Sequence, residues 1–119
     1  MEGKEWSIPD LRNRLLYFAP GYAITYITDA IFEGENIAKM IEVAQGSDHL
    51  FCESSFLKVD EDRARATHHL TTVQAATIAR EANVKQLHIF HFSRRYAGME
   101  HLFLKEARSV FPNVTIGTK

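Results

Sequence analysis

Asp29, Glu53 and His91 are the side chains best placed to do chemistry together. Each closes an apolar run that reads as a strand: Ala23 to Thr28, His49 to Cys52, and Val84 to Phe90. Carboxylate and imidazole both ligate zinc, and a carboxylate can bridge two ions. Each residue also has a plainer role. An Asp after a strand forms turns, a strand-end His packs through a hydrogen bond, and a Glu is commonly a solvated acid. His69 is a fourth candidate, just ahead of a helix that Thr71 caps. Unpaired amides and the helix dipole favour an anion there. An imidazole at that spot could touch a phosphate and protonate a leaving oxygen; it could also be a surface residue beside His68. Arg94 and Arg95, followed by Tyr96, could hold a phosphate or stack on a base, or form an exposed loop pair.

Other chemistries find no support. His49, His88 and His101 show no metal spacing, and there is no His-Glu-x-x-His, Cys-x-x-Cys, phosphate-binding glycine loop or Gly-x-Ser-x-Gly elbow. The single cysteine, Cys52, lies inside an apolar strand and reads as a buried small hydrophobe. One cysteine excludes a disulfide framework and fits a reducing compartment. The net charge of -1 gives no global field toward nucleic acid or membrane. No apolar run approaches the ~20 residues of a bilayer span, and the polar start does not read as a signal peptide. The expectation is a cytoplasmic protein with no membrane partner.

The elements that must position these residues form one domain over 1–119, with an irregular lead-in over 1–20. There, Leu11, Leu15 and Phe18 share a face, which predicts a short helix from about Asp10 to Phe18 before Pro20-Gly21. Ile37, Met40, Ile41 and Ala44 predict a helix that ends at Gly46. Residues 54–68 read as a polar loop with one helical turn. Thr71 with Gln74 forms a capping box for a helix that Asn83 ends in the left-handed conformation. A further helix runs from about Met99 to Val110, stopped by Pro112, and a last short strand spans Val114 to Gly117. Strands alternating with helices predict an α/β fold: a mostly parallel or mixed sheet of about four strands with right-handed crossovers. Ligands of such sheets collect beyond the carboxyl ends of the strands, where Asp29, Glu53 and His91 stand.

The order of motifs resembles a family. Tyr26-Ile27-Thr28-Asp29 is similar to the aspartate-bearing strand of ribonuclease Z-like proteins of the metallo-β-lactamase superfamily. Cys52-Glu53-Ser54-Ser55-Phe56 resembles their His-Glu-Ala-Thr motif, and His69-Leu70-Thr71 their His-Ser-Thr motif, with an alanine-rich helix after it. His91-Phe92-Ser93-Arg94-Arg95-Tyr96 resembles their His-Phe-Ser-Pro-Arg-Tyr. The match runs from about Gly21 to Tyr96. It implies a two-metal zinc hydrolase of RNA that acts at the 3′ side of precursor transfer RNA. Asp29 would bridge two zinc ions and His91 would bind one. Glu53 and His69 would pair to contact the scissile phosphate and assist the leaving group, with Thr71, Arg94 and Arg95 on the substrate side.

The departures shape the expectation. The family's His-x-His-x-Asp-His motif and its next His ligand are absent from this chain and would lie before residue 1. Cys52 stands for a His, Leu70 for a Ser and Arg94 for a Pro. The resemblance thus covers the carboxy-terminal half of the family's helix–sheet–sheet–helix sandwich. The uncovered sheet face is expected to be apolar and to need a cover. That cover would be a missing amino-terminal half or a second copy of the chain. The expected behaviour is a chain inactive by itself, weak in zinc and at least dimeric. The alternative is a non-catalytic, self-associating domain from a truncated gene.

Overall fold

Three strand–helix–strand units, each returning parallel to its start, set the architecture. The computed structural model describes residues 17–19, 22–28 and 32–117. The elements are β1 (Tyr17–Ala19), β2 (Tyr22–Ile27), α1 (Glu35–Ala44), β3 (His49–Glu53), α2 (Glu61–Ala66), α3 (Thr72–Ala82), β4 (Gln86–Phe90), α4 (Glu100–Arg108) and β5 (Val114–Ile116). Short 3₁₀ turns at Lys58–Asp60 and Arg94–Tyr96 flank α2 and lead toward α4. The sheet runs β1-β2-β3-β4-β5. Strands β2 to β5 are parallel, and β1 pairs antiparallel with β2. The expected α/β sheet of about four strands is therefore present, with a fifth strand on its edge.

Two expectations are corrected. Tyr17 and Phe18 belong to β1 and not to a helix; residues 10–16 of that predicted helix lie outside the described residues. The helical spacing of Leu11, Leu15 and Phe18 is a local signal, and ladder pairing with β2 overrides it at 17–19. The segment 54–68, expected as a polar loop with one helical turn, holds a 3₁₀ turn and the six-residue α2. Ala64 is the one buried residue of α2, so that helix writes no apolar stripe into the sequence.

One face of the sheet packs against α1, α3 and α4. Leu50, Cys52, Leu87, Ile89 and Val114 point into this layer with Met40, Ala44, Ile78 and Phe103, all buried. Helix α3 touches both α1 and α4 and lies between them. Its small inward residues Ala75, Ala76, Ala79 and Ala82 let its backbone approach the sheet. The helix boundaries match their local signals. Thr71 and Gln74 exchange both bonds of a capping box, Asn83 sits at φ 57°, and Gly46 at φ 69°.

No described element covers the opposite face. It was expected to be apolar; it is aromatic and imidazole in character. Phe51 stacks between Tyr26, at 5.2 Å, and the His88 ring, at 4.2 Å. His49 Nδ1 and His88 Nε2 share a hydrogen bond of 2.9 Å, and Thr115 Oγ1 lies 3.2 Å from His88 Nδ1. In the β3–β4 register Phe51 faces His88, so His49 reaches it along the diagonal. Their separation in sequence hid this pair.

Candidate active site

Glu53 ends β3 and is fully buried. A buried carboxylate is tolerable only when its oxygens are hydrogen-bonded. Oε2 accepts from His69 Nδ1 at 2.8 Å and from the Leu70 backbone N–H at 3.0 Å. Oε1 accepts from Thr28 Oγ1 at 3.2 Å and lies 3.5 Å from His91 Nδ1. With the Glu53 oxygen as acceptor, the hydrogen of this bond is carried by His69 Nδ1. His69 Nε2 is the ring nitrogen on the side away from Glu53.

Thr28 is at the carboxyl end of β2, Glu53 at that of β3 and His91 just past that of β4. His69 enters from the segment before α3, whose backbone is tied to the segment that follows β3 through a bridge between Phe56 and Thr71. The His69 and His91 rings meet edge to face at 5.5 Å. Glu53, His69 and His91 bring one ligand atom each within 4.8 Å of one another. Thr28 and His91, with Phe90, Phe92 and Gly117, line an open recess beside them. This is the convergence that strand ends of a parallel sheet provide.

The remaining sequence candidates divide. Asp29 lies outside the described residues. Thr71 is buried and its hydroxyl accepts from the Gln74 amide, so it acts here as the helix cap. Arg94 and Arg95 are exposed on the 3₁₀ turn after His91, with the Arg95 guanidinium 5.9 Å above the Tyr96 ring. Arg94 opens that turn, a position that also suits proline, so its presence leaves the loop intact. Cys52 is fully buried among the helices, and burial pushes its thiol well up, reinforced by the neighbouring Glu53 charge. It is an inert hydrophobe, as expected. Tyr96 is buried and bonds Asp60 and the Leu57 amide; burial and the Asp60 bond raise its phenol. That latch joins the 3₁₀ turn after β4 to the one before α2.

Sequence reasoning missed two of the groups that hold Glu53. Thr28 is an ordinary strand residue until its hydroxyl is seen on Glu53. Leu70 contributes its amide, and a backbone group leaves no mark on residue identity. Its apolar side chain is buried, so the Ser-to-Leu departure costs the carboxylate no bond.

Comparison with known proteins gives this geometry a context. No protein-family profile matches. Ribonuclease Z of Bacteroides thetaiotaomicron is 42% identical over 98 residues, covering 82% of this chain and 29% of that protein. Ribonuclease Z of Phocaeicola vulgatus is 43% identical over 119 aligned residues, covering 96% of this chain and 37% of that protein. The chain is ribonuclease Z-like over most of its length. It spans about a third of the curated relatives it matches. A metallo-β-lactamase fold protein of Bacillus subtilis superposes with a TM-score of 0.72 at 23% identity, over 83% of this chain and 38% of that one. The short form of human tRNase Z superposes with a TM-score of 0.61 at 23% identity, over 84% and 32%. Both likenesses show the fold. No helix among the described residues of this ribonuclease Z-like chain is long and apolar enough to cross a membrane.

Proposed function

We propose that this chain supplies the carboxy-terminal part of a zinc-dependent phosphodiesterase that cuts RNA, and that it is inactive as a separate polypeptide. The observation that carries this reading is the buried Glu53 carboxylate holding His69 by Nδ1 beside His91. A carboxylate that fixes the tautomer and orientation of an imidazole prepares its far nitrogen for proton transfer. His69, once protonated, donates from Nε2 to the oxygen that leaves when the phosphodiester breaks. Glu53 holds the imidazolium in place through that step. Arg94 and Arg95 meet the flanking phosphates, where exposed guanidinium groups cost little to recruit.

The donor set suits zinc, since imidazole and carboxylate are its ordinary nitrogen and oxygen ligands. His91 would hold the metal with Asp29, while Glu53 is committed to His69. The metal, when bound, supplies an acidified water and Lewis-acid stabilisation of developing charge. Zinc sites use about three or four protein ligands; in this reading Asp29 and His91 supply two of them and the covering part of the protein supplies the rest. The open face of Tyr26, Phe51, His49 and His88 supports a covering layer. In this reading it is the rest of a ribonuclease Z-like protein, with a second copy of the chain as the competing cover.

The test is complementation. The purified chain is expected to bind zinc weakly and to leave bis(p-nitrophenyl) phosphate intact. Mixing it with the other two-thirds of the Bacteroides thetaiotaomicron enzyme, made as a separate polypeptide, is expected to yield hydrolysis that Glu53→Gln and His69→Ala abolish. Stoichiometric zinc with turnover by the chain alone would overturn inactivity. A light-scattering mass of twice the chain, unchanged by the added polypeptide, would favour self-association.

A further inference from the structure

His91 has a backbone that few residues adopt. Its φ is 65°, in the left-handed region, where a side chain with a Cβ is uncommon and stays only if its surroundings hold it. The two peptide planes on either side of its Cα are both held by one dipeptide. The Ser54 amide donates to Phe90 O at 2.9 Å, fixing the plane before His91. The Ser55 hydroxyl donates to His91 O at 2.9 Å, fixing the plane after it. A third bond, from the Ser93 amide to Ser55 O at 2.9 Å, closes the clamp. With both planes set, the direction of the His91 Cα–Cβ bond is set too. That direction brings the ring to Glu53 and edge-on to His69.

We infer that Ser55 is the positioning residue of the site: its buried hydroxyl locks His91 in the left-handed turn that aims the imidazole at the Glu53–His69 pair. Of the three bonds, two are backbone to backbone and persist with any side chain. Of the three, the Ser55 hydroxyl is the one that depends on residue type and the one that acts on the peptide plane that follows His91. Its neighbour provides a contrast, since the Ser54 hydroxyl is buried with no hydrogen-bond partner. Two adjacent serines of one strand end thus have different work: one hydroxyl clamps, the other does not. The inference rests on reading Glu53, His69 and His91 as one site, and its consequence for zinc rests on the function proposed above.

The experiment uses the full chain, isotope-labelled, with Ser55→Ala, Ser55→Thr and Ser54→Ala. The first readout is the nuclear Overhauser effect between the His69 and His91 ring protons, whose rings lie 5.5 Å apart. It is expected in the parent chain, lost in Ser55→Ala, and kept in Ser55→Thr, which restores the hydroxyl, and in Ser54→Ala. The second readout is zinc affinity, expected to fall about tenfold in Ser55→Ala and to stay within about twofold in Ser55→Thr, as for other groups that orient a ligand. If Ser55→Ala folds poorly, Ser55→Cys fills the site with a slightly larger group and a weaker donor and is expected to weaken the ring contact. An unchanged ring contact in Ser55→Ala or Ser55→Cys overturns the inference, as does the failure of Ser55→Thr to restore it. If the parent chain shows the ring contact but takes up no zinc, the metal reading fails while the Ser55 result still stands on the first readout.

Discussion

The two faces of the sheet are built from alternate residues of the same strands and obey different rules. On the helix side, Leu50, Cys52, Leu87 and Ile89 are fully buried, and the weak Cys52 thiol is the one polar head among them. On the other side, Tyr26, Phe51, His49 and His88 keep partial exposure and satisfy one another by stacking and imidazole hydrogen bonds. The first face is covered by α1, α3 and α4. The second is a surface that half-buries itself. The difference teaches where stability resides and where a partner has room to add it: at the face whose residues are only half removed from water.

The largest effect should separate the two faces directly. Leu87→Ala is expected to cost about 2–5 kcal/mol in urea unfolding, because a packed site cannot close over the missing volume. Phe51→Ala, on the open face, should cost less than half as much in the isolated chain. Equal losses would mean that the open face is already covered, by a second copy or by residues outside the described set. Next in size is the cap that ties the site to the helix layer. Thr71→Ala is expected to lose about 1 kcal/mol, and Thr71→Ser almost nothing, in the same assay.

A smaller effect should come from pH and belong to the open face alone. Burial lowers the His88 pKa from its ordinary 6.5, and the nearby His49 lowers it further. The folded chain therefore binds this proton less readily than the unfolded chain. This contribution is fully present above pH 6.5 and is lost as pH falls through 6.5 toward the folded value. Melting temperature should fall by a few degrees or less across that window, and His88→Phe should flatten that part of the profile. A profile unaltered by His88→Phe would remove the imidazole pair from the account. The smallest expected change is Arg94→Ala, exposed at the rim of the site, which should stay within about 0.5 kcal/mol in unfolding.

Much of the fold was legible because its signals are local. The helix that ends at Gly46, the Thr71–Gln74 capping box and the left-handed Asn83 are each written within a few residues, and each stands where its spacing put it. Candidate residues at strand ends were legible for the same reason: a charged residue closing an apolar run marks the carboxyl end of a parallel strand. Helix α2 was legible only as a single turn because a helix with one buried residue has no periodic stripe. Strand β1 was misread because helical spacing and ladder pairing compete, and only the neighbouring strand decides.

The sequence by itself determined the strand–helix alternation, the order of the motifs and hence the family resemblance. These depend on residue type and short spacing. Only the tertiary structure decided which groups meet. It placed the Leu70 amide and the Thr28 hydroxyl on Glu53, joined His49 to His88, and set Ser55 against the strained turn at His91. Those contacts follow from strand register and from backbone groups, and a backbone amide is the same in every residue but proline. Residue identity therefore carries no record of them until the sheet is assembled.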